Sequence, residues 1–222
     1  MSKEPLKILI ERTTPLGRLA RLYRQRKLKK KYVIWQKNAG SGPMPNYGKQ
    51  QVVIQYLDRF GIRTFVETGT YKGKMVYAVM PHADKIYSIE LDDVHFEKAE
   101  RRFAGYSNIH IIHGQSGEVL PKIMADIKEP CVFWLDAHYS GGSTAKGPLD
   151  SPIMQEMDCV LNHCFAGQHV ILIDDARCFI GEDGYPNLAE FEQYVAGKNL
   201  GLCFQIANDI IRIHKKDSAA NE

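Results

Sequence analysis

Residues 62–73 read IRTFVETGTYKG, a run of β-branched and aromatic residues followed by an acid and a turn with two glycines. The run predicts a buried β-strand over 62–67, because short segments of this kind are typical of parallel sheets. Gly69 lets the backbone pass close to a ligand, and Gly73 lets the next helix pack closely on the sheet. Together they predict the first strand–turn–helix unit of an α/β fold that binds a ligand at the turn.

Strand-like and helix-like segments alternate from this unit to the C-terminus. Four more apolar runs, separated by helical segments, predict strands over 85–91, 108–114, 131–138 and 169–175. Two further β-runs, LCFQIA and IIRIH, are joined by Asn208-Asp209, whose residues tolerate the positive φ of a tight hairpin. We therefore predict an α/β fold with a doubly wound, mainly parallel, seven-stranded Rossmann-like sheet that ends in an antiparallel hairpin.

The composition is that of an ordinary globular protein: 222 residues, 44% hydrophobic and 25% charged. No run approaches the roughly 20 apolar residues of a membrane-spanning helix, and the N-terminus lacks a secretory signal. The five cysteines are widely spaced without a Cys-x-x-Cys pair, which argues against a disulfide framework or a structural zinc site. These features predict a cytoplasmic protein.

The charge is divided unevenly along the chain. Residues 1–37 hold 12 Lys and Arg against 2 acids, and the remainder holds 17 against 24, which gives charges of +10 and −7. We predict a basic helical arm and linker over 1–44 and the α/β domain over 45–222. Four apolar residues recur at helical spacing between the arginines: Leu16, Leu19, Ala20 and Tyr23.

An amphipathic basic helix of this kind has several potential roles. It can bind an anionic membrane, so that the protein is peripheral to it, or an anionic partner. It can also dock on its own acidic domain or mediate a homodimer. We predict no specific nucleic-acid site.

Acids follow four of the five predicted parallel strands: Glu67, Glu90, Asp136 and the pair Asp174-Asp175. Ligands of open α/β sheets bind beyond the carboxyl ends of the strands, so these acids predict a binding site. Glu90 lies 23 residues after Glu67, where an acid can accept hydrogen bonds from both hydroxyls of a ribose. Gln115 and Ser116, after the third strand, can meet an adenine edge.

The motifs FVETGTYKG, YSIEL, IIHGQS and FWLDAH, with the terminal hairpin, resemble the class I S-adenosylmethionine-dependent methyltransferases over roughly residues 45–215. The resemblance implies that the first acid and the glycine turn hold the methionine portion and that Glu90 binds the ribose. Gln115 departs from the Asp or Asn of many members. The expected cofactor-binding residues are Glu67, Thr68, Gly69, Thr70, Gly73, Glu90, Leu91, Gln115, Ser116 and Asp136.

Asp136, Asp174 and Asp175 predict a metal site. Acids that end adjacent strands can converge, and three converging carboxylates repel one another unless a cation such as Mg²⁺ neutralises them. The pattern LDAH…LIDD is similar to the metal-dependent small-molecule and sugar O-methyltransferases, in which such acids hold the cation. The alternative is that Asp174 caps the next segment and Asp175 is solvated.

Asp136 and His138 are the expected catalytic residues. His138 follows Asp136 by two positions, where an imidazole that titrates near neutral pH can act as general base on a substrate hydroxyl. It can equally orient Asp136 or be an ordinary loop histidine.

The sequence thus predicts an S-adenosylmethionine-dependent O-methyltransferase that methylates a hydroxyl of a sugar, glycan or small polar acceptor with Mg²⁺ assistance. Two alternatives stay open. A nicotinamide-dependent Rossmann oxidoreductase would use Glu90 for its ribose, but the third glycine of Gly-x-Gly-x-x-Gly is missing. A non-catalytic nucleotide-binding module would be recruited to anionic surfaces by the arm.

Overall fold

The computed structural model describes residues 15–38, 43–136 and 151–216 of the chain. Strands and helices alternate within these ranges, as the sequence predicts. The strands are β1 Thr64–Thr68, β2 Lys85–Glu90, β3 Ile109–His113, β4 Cys131–Leu135, β5 Val170–Ile173, β6 Leu202–Ala207 and β7 Ile210–Lys215. The α-helices are α1 Pro15–Lys37, α2 Asn46–Phe60, α3 Lys74–Val79, α4 Asp93–Phe103, α5 Ser116–Asp126, α6 Ile153–Leu161 and α7 Leu188–Gly197.

The seven strands form one sheet in the order β3-β2-β1-β4-β5-β7-β6. Strands β1 to β5 pair in parallel, whereas β7 is antiparallel to both β5 and β6. The chain runs from β1 out to one edge and then returns to β4 on the other side of β1. Because connections leave β1 and β4 in opposite directions, a crevice forms beyond their carboxyl ends. The predicted doubly wound sheet is confirmed.

The closing hairpin forms where the sequence predicts it. Asn208 and Asp209 have φ values of +56° and +64°, so both residues of the turn adopt a left-handed backbone conformation. Two consecutive left-handed residues match the twist of the flanking strands, which explains why Asn and Asp are accepted there.

The central strands are buried on both faces, which explains their nearly continuous apolar sequences. Alternate residues of β4 pack on opposite faces of the sheet. Phe133 and Leu135 pack with side chains of α5, α6 and α7. Val132 and Trp134 pack with side chains of α2, α3 and α4. The sheet therefore separates two hydrophobic cores, and its carboxyl edge lies between the two layers of helices.

Some element boundaries differ from the prediction. Strand β4, predicted over 131–138, spans only Cys131–Leu135. Strands β4 and β5 end together at the pair Leu135 and Ile173, so Asp136 and Asp174 lie just beyond the ladder. Their backbone N–H groups still donate to the Thr68 and Leu135 carbonyl oxygens, so both acids are held at the carboxyl edge of the sheet.

Helix α1 joins the domain through its C-terminal end. Trp35 is buried with Met44 in the core beside α2, and its ring stacks on Tyr32 with centroids 5.7 Å apart. A Cβ atom at Gly48 would lie 2.5 Å from the Tyr32 ring, so glycine permits this close approach. Leu19 and Tyr23 are 63% and 73% exposed. Among the described helices, none has the length and apolar character needed to cross a bilayer.

Candidate cofactor and metal site

The glycine turn after β1 curls over the end of β2. The backbone N–H groups of Gly69 and Thr70 both donate to the Ile89 carbonyl oxygen, at 2.9 and 3.1 Å. Gly69 and Gly73 have φ values of +88° and +60°, a region that glycine enters without steric cost. A Cβ at Gly73 would lie 2.7 Å from the Phe103 ring, so this glycine serves the packing of the turn on α4.

Glu90 ends β2 with its carboxylate held by backbone donors. The N–H of Tyr71 donates to Oε2 at 2.6 Å, and the N–H of Asp92 donates to Oε1 at 2.9 Å. The residue is buried at the rim of the turn. Each oxygen accepts one of these hydrogen bonds and keeps a further lone pair. The carboxylate is therefore fixed in place and can still accept hydrogen bonds from a ligand.

Glu67 lies within β1 rather than after it, and only 1% of its surface is exposed. Burial raises the pKa of Glu67 to about 8. The Ser88 hydroxyl donates a hydrogen bond of 2.6 Å from Oγ to Glu67 Oε1, which lowers this pKa. The charges of Asp136 and Glu90 raise it further. At neutral pH the Glu67 carboxyl is therefore mainly protonated. A cationic ligand group placed beside it would favour the ionised form.

The loop after β3 holds Gln115 and Ser116 at the start of α5. The Gln115 side-chain oxygen accepts a hydrogen bond from the Glu118 N–H at 2.9 Å and so caps the helix. This leaves the Gln115 amide NH₂ as the donor that can meet a ligand. Leu91, after β2, accepts a hydrogen bond at its carbonyl oxygen from the His113 ring at 3.1 Å.

The loops after β4 and β5 bring three carboxylates together. One oxygen each of Asp136, Asp174 and Asp175 lies within 4.8 Å of the others, and Asp174 and Asp175 are buried. The N–H of Asp175 donates to Asp174 Oδ1 at 3.0 Å, and Asp175 has a φ of +57°. Such a backbone conformation is uncommon for a residue other than glycine and occurs often at functional sites. We call these three residues the acidic triad.

Among the described residues, two cationic side chains contact the triad. Lys49, from α2, donates a short hydrogen bond to Asp174 Oδ2, and its Nζ lies 3.8 Å from Asp175 Oδ1. Arg177 Nη1 lies 2.8 Å from Asp175 Oδ1 and also contacts Asp209. No local sequence pattern marks Lys49 as a site residue, because it lies 125 residues before Asp174 in an ordinary amphipathic helix.

These contacts change the proton affinity of both partners. Burial raises the pKa of Asp174, and the Lys49 ammonium opposes that rise. Burial alone would lower the pKa of Lys49, but the charge and hydrogen bond of Asp174 raise it above its usual range. An ion pair of Lys49 and Asp174 thus forms at one side of the triad.

A narrow cleft adjoins the triad. Its polar lining consists of Asp136, Asp174, Ser151, Glu156 and Tyr185. Burial raises the pKa of the Tyr185 hydroxyl, which therefore stays protonated at neutral pH. The predicted base His138 falls in 137–150, outside the described residues.

The described residues fit both groups that the sequence predicts. The glycine turn and Glu90 offer backbone groups and a carboxylate that suit a ribose, and Glu67 places a buried carboxyl in the adjacent strand β1, which suits an ammonium group. The triad offers three oxygen donors, the set that Mg²⁺ prefers. The three oxygens lie within 4.8 Å of one another, so they can converge on one cation by drawing closer together.

No protein-family model matches the chain, and no curated protein matches it in sequence. Solved structures do share its fold. The O-methyltransferase TomG of Streptomyces achromogenes, in complex with S-adenosylmethionine, is 12% identical, with 85% of this chain and 89% of that chain covered at a TM-score of 0.54.

Two other solved O-methyltransferase structures share the same fold. An O-methyltransferase of Bacillus cereus, in complex with S-adenosylhomocysteine, is 12% identical, with coverages of 86% and 90% and a TM-score of 0.52. A proposed caffeoyl-CoA O-methyltransferase of Staphylococcus aureus is 14% identical, with coverages of 88% and 99% and a TM-score of 0.52. The chain therefore has the fold of the class I methyltransferases.

Proposed function

We propose that this protein is an S-adenosylmethionine-dependent O-methyltransferase that acts on a hydroxyl of a sugar, glycan or other small polar acceptor with Mg²⁺ assistance. One observation carries the proposal: Thr68, which follows Glu67 in β1, pairs with Ile89 and with Leu135, the residues that precede Glu90 and Asp136. The acids suited to a ribose, to an ammonium group and to a metal thus lie at the carboxyl ends of neighbouring strands. The fold shared with O-methyltransferases supports the same assignment.

Each of these acids has a distinct role in this proposal. Glu90 accepts hydrogen bonds from the ribose hydroxyls, and Glu67 faces the ammonium of the methionine portion. Asp136, Asp174 and Asp175 hold the cation and orient the acceptor oxygen toward the methyl group. When bound, S-adenosylmethionine supplies an electrophilic methyl and Mg²⁺ lowers the pKa of the acceptor hydroxyl. His138 receives the proton of that hydroxyl.

The cleft beside the triad supports a hydroxylated acceptor. Its polar lining consists of carboxylates and of the hydroxyls of Ser151 and Tyr185, which can hydrogen-bond several hydroxyl groups at once. It contains no Lys or Arg among the residues described. The nearby cations Lys49 and Arg177 are already paired with acids of the triad, so a strongly anionic acceptor is disfavoured here.

Calorimetry with S-adenosylhomocysteine and NAD tests the cofactor. We expect S-adenosylhomocysteine alone to bind, and Glu90→Ala to weaken it roughly ten- to a hundredfold, as expected for loss of hydrogen bonds to a charged group. Glu97→Ala, an exposed acid on α4, is the matched control. Binding of NAD, or unchanged affinity in Glu90→Ala, contradicts the assignment. Thermal unfolding of each variant is measured alongside, because Glu90 also accepts the Tyr71 N–H.

A second experiment tests the metal and the acceptor together. Candidate sugars and small polyols are incubated with protein, S-adenosylmethionine and Mg²⁺, and the product is analysed by mass spectrometry for one added methyl group. Asp174→Asn should abolish the metal-dependent activity and leave S-adenosylhomocysteine binding nearly unchanged. Full turnover in excess chelator would remove the metal from the mechanism.

We also propose that α1 brings the protein to an anionic membrane surface. The helix holds nine Lys and Arg and no acid. Exposed apolar side chains, including Leu19, Tyr23 and Ile34, lie among its exposed basic residues. Apolar groups that insert among headgroups, with lysines that meet anionic lipid, are typical of interfacial helices.

Co-sedimentation with lipid vesicles tests the role of α1. Binding should require anionic lipid and fall when three basic residues of α1 are changed to Glu: Arg26, Lys27 and Lys30. The control carries the same change at three exposed lysines of the domain: Lys98, Lys122 and Lys128. Equal losses in both variants would mean that net charge, not α1, determines binding.

A further inference from the structure

Lys49 is the one described lysine that reaches the acidic triad. It comes from α2, whereas the three acids lie on the loops after β4 and β5. Its side chain is 17% exposed, and it contacts Asp174 directly and Asp175 at 3.8 Å. An ammonium therefore lies against the oxygens that the proposed function assigns to a divalent cation.

We infer that Lys49 and a divalent cation compete for the triad: the Lys49 ammonium holds the carboxylates together in the metal-free protein and leaves them when the cation binds. The inference rests on the proposed metal site. It makes Lys49 a positioning residue that sets the affinity for the metal, in addition to the ligands themselves.

The charges around the triad explain why an internal cation is needed. Three carboxylates within 4.8 Å of one another repel strongly when buried. Arg177 contacts Asp175, but the same guanidinium also contacts Asp209, so its charge is shared. Lys49 contributes the charge that faces Asp174.

The same geometry makes joint occupancy unfavourable. A cation bound between Asp174 and Asp175 would lie within a few ångströms of Nζ, since that atom already contacts both residues. Two positive charges at that distance in a partly buried site repel each other. Lysine has a flexible four-carbon stem, and its side chain is partly exposed here, so the ammonium can move toward solvent.

Binding of Mn²⁺, a spectroscopic substitute for Mg²⁺, tests the competition. Free Mn²⁺ is measured by electron paramagnetic resonance during titration of the wild type, Lys49→Met, Lys49→Arg and the control Lys74→Met, which removes an exposed lysine. We expect Lys49→Met to bind Mn²⁺ about tenfold more tightly or better. Lys49→Arg, which keeps the charge, and Lys74→Met should bind as the wild type does.

Thermal unfolding gives a second measurement. Without metal, Lys49→Met should unfold at a lower temperature than the wild type, because the triad loses its internal cation. Addition of Mn²⁺ should then raise its unfolding temperature by more than it raises that of the wild type.

Equal or weaker Mn²⁺ binding by Lys49→Met overturns the inference, as does an absence of Mn²⁺ binding in every variant. S-adenosylhomocysteine binding, measured on the same samples, reports separately on the proposed function. If it persists while the Mn²⁺ result fails, the competition is wrong and the methyl-donor site stands. If it is absent from the wild type, the proposed function itself is wrong.

Discussion

Replacement of Glu67 by Gln is expected to stabilise the protein at neutral and alkaline pH. Glu67 is fully buried and has a pKa of about 8, against an ordinary value of 4.5. Glutamine has nearly the same shape, and its carbonyl can accept the hydrogen bond that Ser88 Oγ donates to Glu67. The substitution therefore removes an ionisation without leaving Ser88 unpaired.

The sign and size of the effect follow from the difference between the two pKa values. Below about pH 4.5 both the folded and the unfolded state hold the Glu67 proton, so this group gives no pH dependence. Between about 4.5 and 8 the unfolded chain releases the proton while the folded chain keeps it, which favours unfolding. At about 1.4 kcal/mol per pH unit, the advantage of Gln over Glu grows to the order of 5 kcal/mol at most.

Urea unfolding of the wild type and Glu67→Gln at a series of pH values measures this difference. The free energies of unfolding should diverge as the pH rises through the window and run parallel above it. Glu97→Gln, an exposed acid that pairs with Arg101, is the control and should show no such divergence. A difference that is constant with pH, or a wild type that is the more stable at pH 8, would refute the protonated state of Glu67.

Three further predictions concern proton release, packing and acid stability. Glu67 should ionise beside the ammonium of S-adenosylhomocysteine, so binding of this ligand near pH 7 should release protons. The binding enthalpy measured by calorimetry should therefore depend on the ionisation enthalpy of the buffer. Glu67→Gln should abolish that dependence. Gly73→Ala should destabilise the protein by about 1–3 kcal/mol in urea unfolding, since its Cβ would lie 2.7 Å from Phe103, whereas Gly105→Ala, with open space around it, should not. Burial is the main cause that lowers the pKa of His169 to about 3, and the charge of neighbouring His163 lowers it further. As the pH falls from 6.5 toward 3, the unfolded chain binds a proton at this histidine that the folded chain does not, so the wild type should lose stability. His169→Asn should lose less stability over that range.

The order of the elements could be predicted from the sequence because it depends on local chemistry. Buried strands of a parallel sheet need apolar residues on both faces, and β4 shows this in the run CVFWL. The hairpin depends on two neighbouring residues, Asn208 and Asp209, which tolerate positive φ. Strand β4 is shorter than the predicted 131–138, because a strand end has no comparably strong local signal at Leu135.

The convergence of Asp136, Asp174 and Asp175 was predictable for a related reason. Parallel strands joined by helices end at the same edge of the sheet, so residues that follow them meet there whatever their separation along the chain. Lys49 has no such marker. It reaches the triad only because α2 packs beside the carboxyl edge, and one lysine in a helix does not indicate that position.

The sequence by itself therefore determined the α/β alternation, the reversed last strand and the set of acids at one edge, because each depends on short-range pattern and on the rules of strand connection. Only the tertiary structure decided the protonation of Glu67 and the cation that faces the triad. Both depend on burial and on distances between groups far apart in the chain. Those quantities exist only once the helices and the sheet are packed together.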